Sequence, residues 1–212
     1  MKNTILIFAM FFGLLLSLNS CKDKAKEAET SEAEEVAVEQ ETAIKYVTIP
    51  AETTITWTGH KPTGSHTGTI KVSKGELSLE NGDIQSGNFT IDMASLKDSE
   101  NNAKLEKHLK SADFFEVETY PNATFEITDM DSTADKSMIS GNLTLKDTSN
   151  NISFPIAVAT SGDTLTVTSD KFTIDRSKWN VKFQSKSFYD DLGDKFIDDD
   201  IELTIVMKAK KS

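Results

Sequence analysis

Cysteine is almost absent from this chain: Cys21 is the only one among 212 residues. An internal disulfide needs two cysteines, so the fold is not that of a small secreted domain stapled by disulfides. Cys21 follows an apolar run, residues 5–16, that is shorter than the roughly 20 apolar residues needed to cross a membrane. The run therefore predicts a secretory signal peptide over residues 1–20 rather than a transmembrane helix.

The end of this run, Leu18-Asn19-Ser20-Cys21, places a cysteine three residues after a leucine, as in the signals of bacterial lipoproteins. There the cysteine is diacylated and becomes the first residue of the mature protein. A free thiol in an oxidising compartment would be a liability, whereas an acylated one is not. We predict lipidation of Cys21, for example with palmitate, and an anchor in the outer membrane of the cell envelope, on either face. The alternative is an ordinary signal peptide with an incidental cysteine.

Residues 22–42 contain no aromatic residue, no glycine and no proline, and consist mostly of Ala, Glu, Lys, Thr and Ser. Such a segment cannot bury enough apolar surface to offset the entropy lost on ordering. We therefore predict an acidic, solvated tether over residues 21–43. The whole chain has a net charge of −11, which disfavours nucleic acid as a partner.

From residue 44 to residue 212 the dominant period of the apolar residues is two, which indicates antiparallel strands with one inward face. Apolar residues alternate in the following sets: Ile55/Trp57, Ile70/Val72, Leu77/Leu79, Phe89/Ile91/Met93, Phe125/Ile127, Ile139/Leu143/Leu145, Ile152/Phe154/Ile156/Val158, Leu165/Val167, Phe172/Ile174, Val181/Phe183 and Ile201/Leu203/Ile205/Met207. Turn signals separate them at residues 74–75, 81–83, 147–151 and 161–163. This pattern predicts one all-β domain over residues 44–212, an antiparallel barrel, with a two-sheet sandwich as the alternative.

One segment, residues 101–115, interrupts the strands with a helical pattern. Its narrow apolar face consists of Ala103, Leu105 and Leu109. Asp98 or Ser99 is the predicted N-terminal cap. Because so short a helix is stable only when docked, we expect it to form a lid on the barrel.

Several motifs resemble the YceI-like family of secreted bacterial proteins. They are residues 108–115 (HLKSADFF), 120–125 (YPNATF), 139–145 (ISGNLTL), 57–59 (WTG), 66–70 (HTGTI) and 172–180 (FTIDRSKWN). The resemblance implies an extended, lipocalin-like barrel whose apolar interior holds a long isoprenoid or quinone-type lipid. It also suggests a homodimer, and it supplies no catalytic residue and no cofactor other than such a bound lipid. This chain departs from the plainest members of the family by its lipoprotein signal and tether.

Aromatic side chains and the two helix leucines are the candidates for contact with such a ligand. They are Trp57, Phe89, Leu105, Leu109, Phe114, Phe125, Phe154, Phe172, Trp179 and Phe183. For each aromatic residue the alternative is ordinary core packing. The alternation of side chains along a curved strand does not by itself show which face of the strand points into the lumen.

Metal and hydrolase sites find little support in the sequence. Three histidines, His60, His66 and His108, could in principle bind zinc or iron, but their separation favours hydrogen bonds at loop and helix ends. The acidic residues 190–200 lack the order of a calcium loop, and no Gly-x-Ser-x-Gly elbow is present. Arg176 is expected to pair with Asp175 or another acidic neighbour, with contact to the polar head of a ligand as the alternative. We predict no metal site and no enzyme.

Two functions remain open. The first is a membrane-anchored carrier or sequestering protein for a long apolar lipid. The second is a stress or interaction module of the cell envelope whose barrel is packed shut and holds no ligand.

Overall fold

The structure, a computed structural model, describes residues 25–132 and 136–212. Cys21 and the predicted signal peptide lie outside the described residues. The strands are β1 (Lys26–Glu27), β2 (Glu29–Glu32), β3 (Ile44–Thr48), β4 (Thr54–Lys61), β5 (Gly64–Glu80), β6 (Asp83–Asp98), β7 (Asn122–Asp131), β8 (Ser137–Leu145), β9 (Thr148–Ser161), β10 (Thr164–Ser169), β11 (Phe172–Asp175) and β12 (Asp200–Lys211). The α-helix is α1 (Ala103–Lys110), and the 3₁₀ turns are Pro50–Glu52, Arg176–Trp179 and Gly193–Lys195.

Eight strands form a closed ring, in the order β4, β5, β6, β7, β8, β9, β10 and β12. The ring closes because β12 pairs back onto β4, from Ile201 opposite Gly59 to Val206 opposite Thr54. All of these pairings are antiparallel. The predicted all-β, lipocalin-like architecture is therefore confirmed as a single ring, and the sandwich alternative is wrong. We call the end that carries the β4–β5 turn, the β8–β9 turn and α1 the helix end.

The predicted turn at residues 74–75 does not exist. Strand β5 runs 17 residues through it, with a register shift against β6 between Val72 and Lys74. Gly75 lies within this strand, and the position needs a glycine because a Cβ there would lie 2.3 Å from Thr48 Oγ1 and 2.4 Å from Phe89 Cδ1. The glycine thus marks a close approach of neighbouring chains rather than a turn.

Strands β3 and β4 share the gap between β5 and β12. Strand β3 pairs with both of these strands far from the helix end, and β4 pairs with both of them nearer to it. The break falls at Pro50, which begins a 3₁₀ turn and has no backbone N–H to donate to a ladder. The two strands thus occupy one strand position of the ring in two consecutive pieces.

The N-terminal segment departs from the expectation of a free tether. Strand β1 pairs with β11 in parallel, and β2 pairs with residues 150–153 of β9. Between them Ala28 is 5% exposed and its N–H donates to Thr173 O at 2.8 Å. Residues 26–32 therefore fill a gap between β11 and β9, which we call the seam. Composition did not reveal this because unpaired backbone groups at an open edge accept an extended segment of almost any sequence.

Beyond β2 the chain crosses the outer face of the ring over buried amides. Glu34 N–H donates to Asn142 Oδ1 at 2.9 Å, and Asn142 Nδ2 donates back to Glu34 O at 2.7 Å. Asn151 Nδ2 also donates to Asn142 Oδ1, at 3.1 Å. Farther along, Ala37 N–H donates to Ile127 O. These contacts hold part of the predicted tether against the wall, although most of its side chains are exposed.

The predicted helix is present with a different cap, and Leu105 and Leu109 of its predicted apolar face pack half-buried against the core. Asn102 is the N-cap: its side chain accepts a hydrogen bond from Leu105 N–H at 3.1 Å. Ala103 is exposed, and the buried helix residue is Glu106. Glu106 Oε1 accepts the N–H of Asp98 at 3.1 Å, which holds the pKa of this carboxyl below its ordinary value. None of the helices described in residues 25–132 and 136–212 combines the length and the apolar character needed to cross a membrane.

The predicted strand at Val181 and Phe183 is also absent. These residues follow the 3₁₀ turn Arg176–Trp179 in irregular backbone. Their carbonyl oxygens accept hydrogen bonds from Arg176, Nη1 to Val181 O at 2.6 Å and Nη2 to Phe183 O at 3.0 Å. A buried guanidinium thus provides the donors that a neighbouring strand would have provided.

The seam yields a testable prediction. Replacing Ala28 with Asp puts a charge into a nearly fully buried site, and should lower the free energy of unfolding by about 1–3 kcal/mol. For a chain of this size that is a fall in melting temperature of roughly 3–10 °C. Circular dichroism melts measure it. The matched control is Ala33→Asp at an exposed position, which should melt as the unaltered protein does; equal melting of both variants would mean that the seam does not support the ring.

Candidate functional site

The ring encloses a cavity of about 650 Å³. Its wall is made by the inward side chains of the strands, most of them aliphatic, such as Ile91 of β6, Leu143 of β8 and Ile156 of β9. These residues come from the sets whose period of two predicted the strands. The cavity follows from the ring itself, since eight strands leave an interior wide enough either to be filled by side chains or to hold one slender ligand.

Most of the predicted ligand-contact residues lie on the cavity wall. They are Trp57, Phe89, Leu105, Leu109, Phe114, Phe125, Phe154 and Phe172. Trp179 and Phe183 are not on the wall. The sequence prediction missed aliphatic wall residues such as Ile55, Ile70 and Met93, although their alternation already marked them as inward. Whether any of these side chains binds a ligand stays a prediction.

Trp179 is a core residue outside the lumen. It is fully buried, and its Nε1–H donates to Leu143 O at 2.8 Å. Trp179 lies on the 3₁₀ turn rather than on a strand. The alternation of inward and outward side chains along a strand therefore does not apply to it. Phe183 packs behind the lid, with its ring 4.8 Å from that of His108 and 5.5 Å from that of Phe114.

Aromatic rings form a continuous series along one side of the cavity. Phe89 and Phe125 lie 6.4 Å apart, and Phe125 and Phe154 lie 5.8 Å apart, measured between ring centroids. Phe154 stacks on Phe172 at 4.2 Å with an interplanar angle of 6°. The series links β6, β7, β9 and β11, and it provides a run of apolar ring surface along the wall.

The lid lies at the helix end of the cavity. Leu105, His108 and Leu109 of α1 face the cavity, and Phe114 and Phe115 from the turns after it do the same. The imidazole of His108 meets the Phe114 ring edge-on at 5.2 Å. The side chains that the sequence assigned to a lid therefore line the interior rather than only its rim.

The three histidines all line the cavity but do not form one centre. Each is beside its own carboxylate: His60 Nε2 is 3.4 Å from Glu202, His66 Nδ1 is 3.6 Å from Asp98, and His108 Nε2 is 3.2 Å from Asp113. The three-histidine metal site that the sequence disfavoured has no counterpart among the residues that the structure describes.

Trp57 places an unpaired polar atom in this apolar interior. Its Nε1 is buried and has no hydrogen-bond partner. Gly68 makes room for the indole, since a Cβ there would lie 2.4 Å from Trp57 Cζ2 and 1.9 Å from Lys97 O. A buried donor without an acceptor costs free energy.

Arg176 is structural, as expected from the sequence. Its side chain is 1% exposed and pairs with Asp199 at 3.2 Å. It also donates to the backbone carbonyls of Ile197 and Asp198. Burial lowers the pKa of this guanidinium, yet arginine keeps its charge near neutral pH. Asp199 further accepts hydrogen bonds from Ser185 and Ser187, so part of the acidic cluster organises the loop rather than a calcium site.

A family model described as the YceI-like domain matches residues 46–209 of the chain. Among curated proteins, a UPF0312 protein of Pseudomonas putida is 32% identical over 88 residues, which is 41% of this chain and 46% of that protein. A UPF0312 protein of Photorhabdus laumondii is 43% identical over 58 residues, 27% of this chain and 29% of that protein. The matched stretches thus span less than half the length of these relatives.

Solved structures share the fold. BcnA of Burkholderia cenocepacia has a TM-score of 0.62 at 22% identity, covering 74% of this chain and 96% of BcnA. A polyisoprenoid binding domain from Saccharophagus degradans, implicated in plant cell wall breakdown, has a TM-score of 0.59 at 14% identity and covers 80% of this chain and 99% of that domain. At these identities the likeness is one of fold.

The two tryptophans give matched variants. Trp57→Phe removes an unsatisfied donor, so the ligand-free protein should lose less than about 1 kcal/mol of unfolding free energy. Trp179→Phe removes a buried hydrogen bond and leaves a void, and should cost about 2–4 kcal/mol. Urea titration of the ligand-free proteins measures both values. A larger loss for Trp57→Phe than for Trp179→Phe would contradict this account of the cavity.

Proposed function

Because the chain belongs to the YceI-like family, we propose that its ring binds a long apolar lipid of the isoprenoid or quinone type and carries or sequesters it. The family is a binding fold and not an enzyme family. The observation that supports the proposal most directly is the apolar cavity inside the ring, with the lid at one end.

Size and chemistry both fit such a ligand. A volume of about 650 Å³ lies within the usual range for small-molecule sites, roughly 300–1,000 Å³. Each methylene transferred from water to such a wall contributes about 0.8 kcal/mol before the costs of ordering. The alternative of a ring packed shut requires bulky side chains that fill the interior, and the cavity argues against it.

The position of Trp57 suggests how the lipid lies. Its unpaired Nε1–H would donate to the hydroxyl or carbonyl oxygen of the head, near the helix end. The chain would extend along the aromatic series from Phe89 to Phe172. The lid residues Leu109 and Phe114 would then cover the end where the head lies.

Lipid extraction and mass spectrometry test the proposal. Protein expressed without residues 1–20 should yield a stoichiometric apolar lipid, or bind an added polyprenol. Ala123→Trp places an indole on the cavity wall, where the native Ala123 is 2% exposed, and should abolish binding. The control is Thr124→Trp on the same strand, whose native side chain does not line the cavity. Absence of both a co-purified lipid and polyprenol binding would refute the carrier function.

Trp57→Phe tests the placement of the head within the same assay. Loss of one hydrogen bond should weaken polyprenol binding by roughly 3- to 10-fold. Binding of a hydrocarbon with the same isoprenoid chain and no head group should not change. Equal weakening of the two ligands would place the head elsewhere.

We also propose that acylated Cys21 anchors the protein to the outer membrane. Lys26, the first residue of β1, is five residues from Cys21, and five extended residues span at most roughly 18 Å. The ring would then stand close to the membrane, with the seam nearest to it, rather than at the end of the long tether predicted from composition. The homodimer suggested by the resemblance stays a prediction.

Metabolic labelling with an alkyne-tagged palmitate tests the anchor. The native chain should carry the label and sediment with the outer membrane. Cys21→Ser should lose both properties, while Ser20→Ala should keep them. A labelled Cys21→Ser protein, or an unlabelled native protein, would show that Cys21 is not the anchor.

A further inference from the structure

Three side chains at the helix end bring metal-binding atoms together: His66 of β5, Asp98 at the end of β6 and Glu100 just after it. One ligand atom from each lies within 4.8 Å of the other two. Within residues 25–132 and 136–212 this is the one group of three or more histidine, cysteine or acidic side chains with that spacing. We propose that it binds a divalent transition-metal ion, and zinc fits it best.

The carboxylate of Asp98 provides a second observation in favour of a metal site. Its side chain is 1% exposed. The Oδ2 atom accepts the N–H groups of Glu100 at 3.0 Å and Asn102 at 3.1 Å. The other oxygen, Oδ1, is buried and has no hydrogen-bond donor. A buried carboxylate oxygen without a hydrogen-bond donor is costly, and this one faces the imidazole of His66.

The spacing between these two ligand atoms suits a shared metal ion. His66 Nδ1 and Asp98 Oδ1 are 3.6 Å apart, which is longer than an ordinary hydrogen bond. Two ligands bound tetrahedrally to zinc, with bonds of about 2.1 Å, lie about 3.4 Å from each other. The separation of the pair therefore matches that of two ligands on one ion, and the exposed Glu100 side chain can rotate to add the third ligand.

The ligand types select the ion. One imidazole nitrogen with two carboxylates is a set that zinc accepts, whereas calcium and magnesium prefer oxygen atoms alone. A fourth position would remain open. Since His66 also lines the cavity, water or the polar group of an occupant could fill that position.

Such an ion would also hold the lid in place. Strand β6 is already joined to α1 by the hydrogen bond from Asp98 N–H to Glu106. The ion would add a link from β5, through His66, to Asp98 and Glu100, which immediately precede the helix cap Asn102. The proposed ion does not require a bound lipid, because the three protein ligands come from β5, the end of β6 and the residues just after it.

Isothermal titration of chelator-treated protein, purified without a polyhistidine tag, tests the site with Zn²⁺ alone. We expect one ion per chain, displaced by a strong chelator and not by Mg²⁺. His66→Ala should weaken binding by roughly 100-fold or more and Glu100→Gln by roughly 10-fold, since each removes one of three ligands. Binding of Co²⁺ should give the visible absorption of a tetrahedral site, lost in His66→Ala.

His108→Ala is the matched control, because His108 also lines the cavity beside a carboxylate but lies outside the group. It should bind Zn²⁺ as the native protein does. Circular dichroism should show that the metal-free variants are folded; Asp98→Asn is avoided, since Asp98 Oδ2 holds the turn before α1. Absence of Zn²⁺ binding, or equal weakening by His66→Ala and His108→Ala, would overturn the proposal.

Discussion

The pairing of β12 with β4 is the constraint on which the rest of the structure depends. These strands are far apart in sequence, and their six paired positions, Ile201–Val206 against Thr54–Gly59, convert a meandering sheet into a ring. Closure removes the exposed sheet edges that would otherwise recruit other chains. It also gives every inward side chain a common interior, so the cavity, the aromatic series and the need for a lid all follow from it.

Several strands that complete the ring do not run along its full height. Strands β3 and β4 divide one position in the wall, and β10 and β11 succeed each other along β12. Where β11 separates from β9, residues 26–32 enter the seam. The polar N-terminal segment thus belongs to the wall because it satisfies backbone groups, not because it buries apolar side chains.

The interior is apolar, but its polar groups are concentrated at the helix end. Trp57 Nε1 and Asp98 Oδ1 are both buried and without hydrogen bonds, and both residues flank Gly68 in the sheet. Arg176, by contrast, has its donors occupied by carbonyl groups and by Asp199. The atoms of Trp57 and Asp98 thus differ from the Arg176 donors in making no hydrogen bond.

The sequence by itself determined the fold class, the strand parity, the helix near residues 103–110 and the family resemblance. These depend on local periodicity and on short motifs, which are visible along the chain. Tertiary structure alone decided that Gly75 lies within a strand, that Trp179 leaves the lumen and that the segment around Ala28 joins the wall. Each of these depends on which distant backbone lies alongside: Thr48 and Phe89 beside Gly75, Leu143 beside Trp179, and Thr173 beside Ala28. The proximity of His66 to Asp98 likewise depends on the register of β5 against β6, which places Gly68 opposite Asp98.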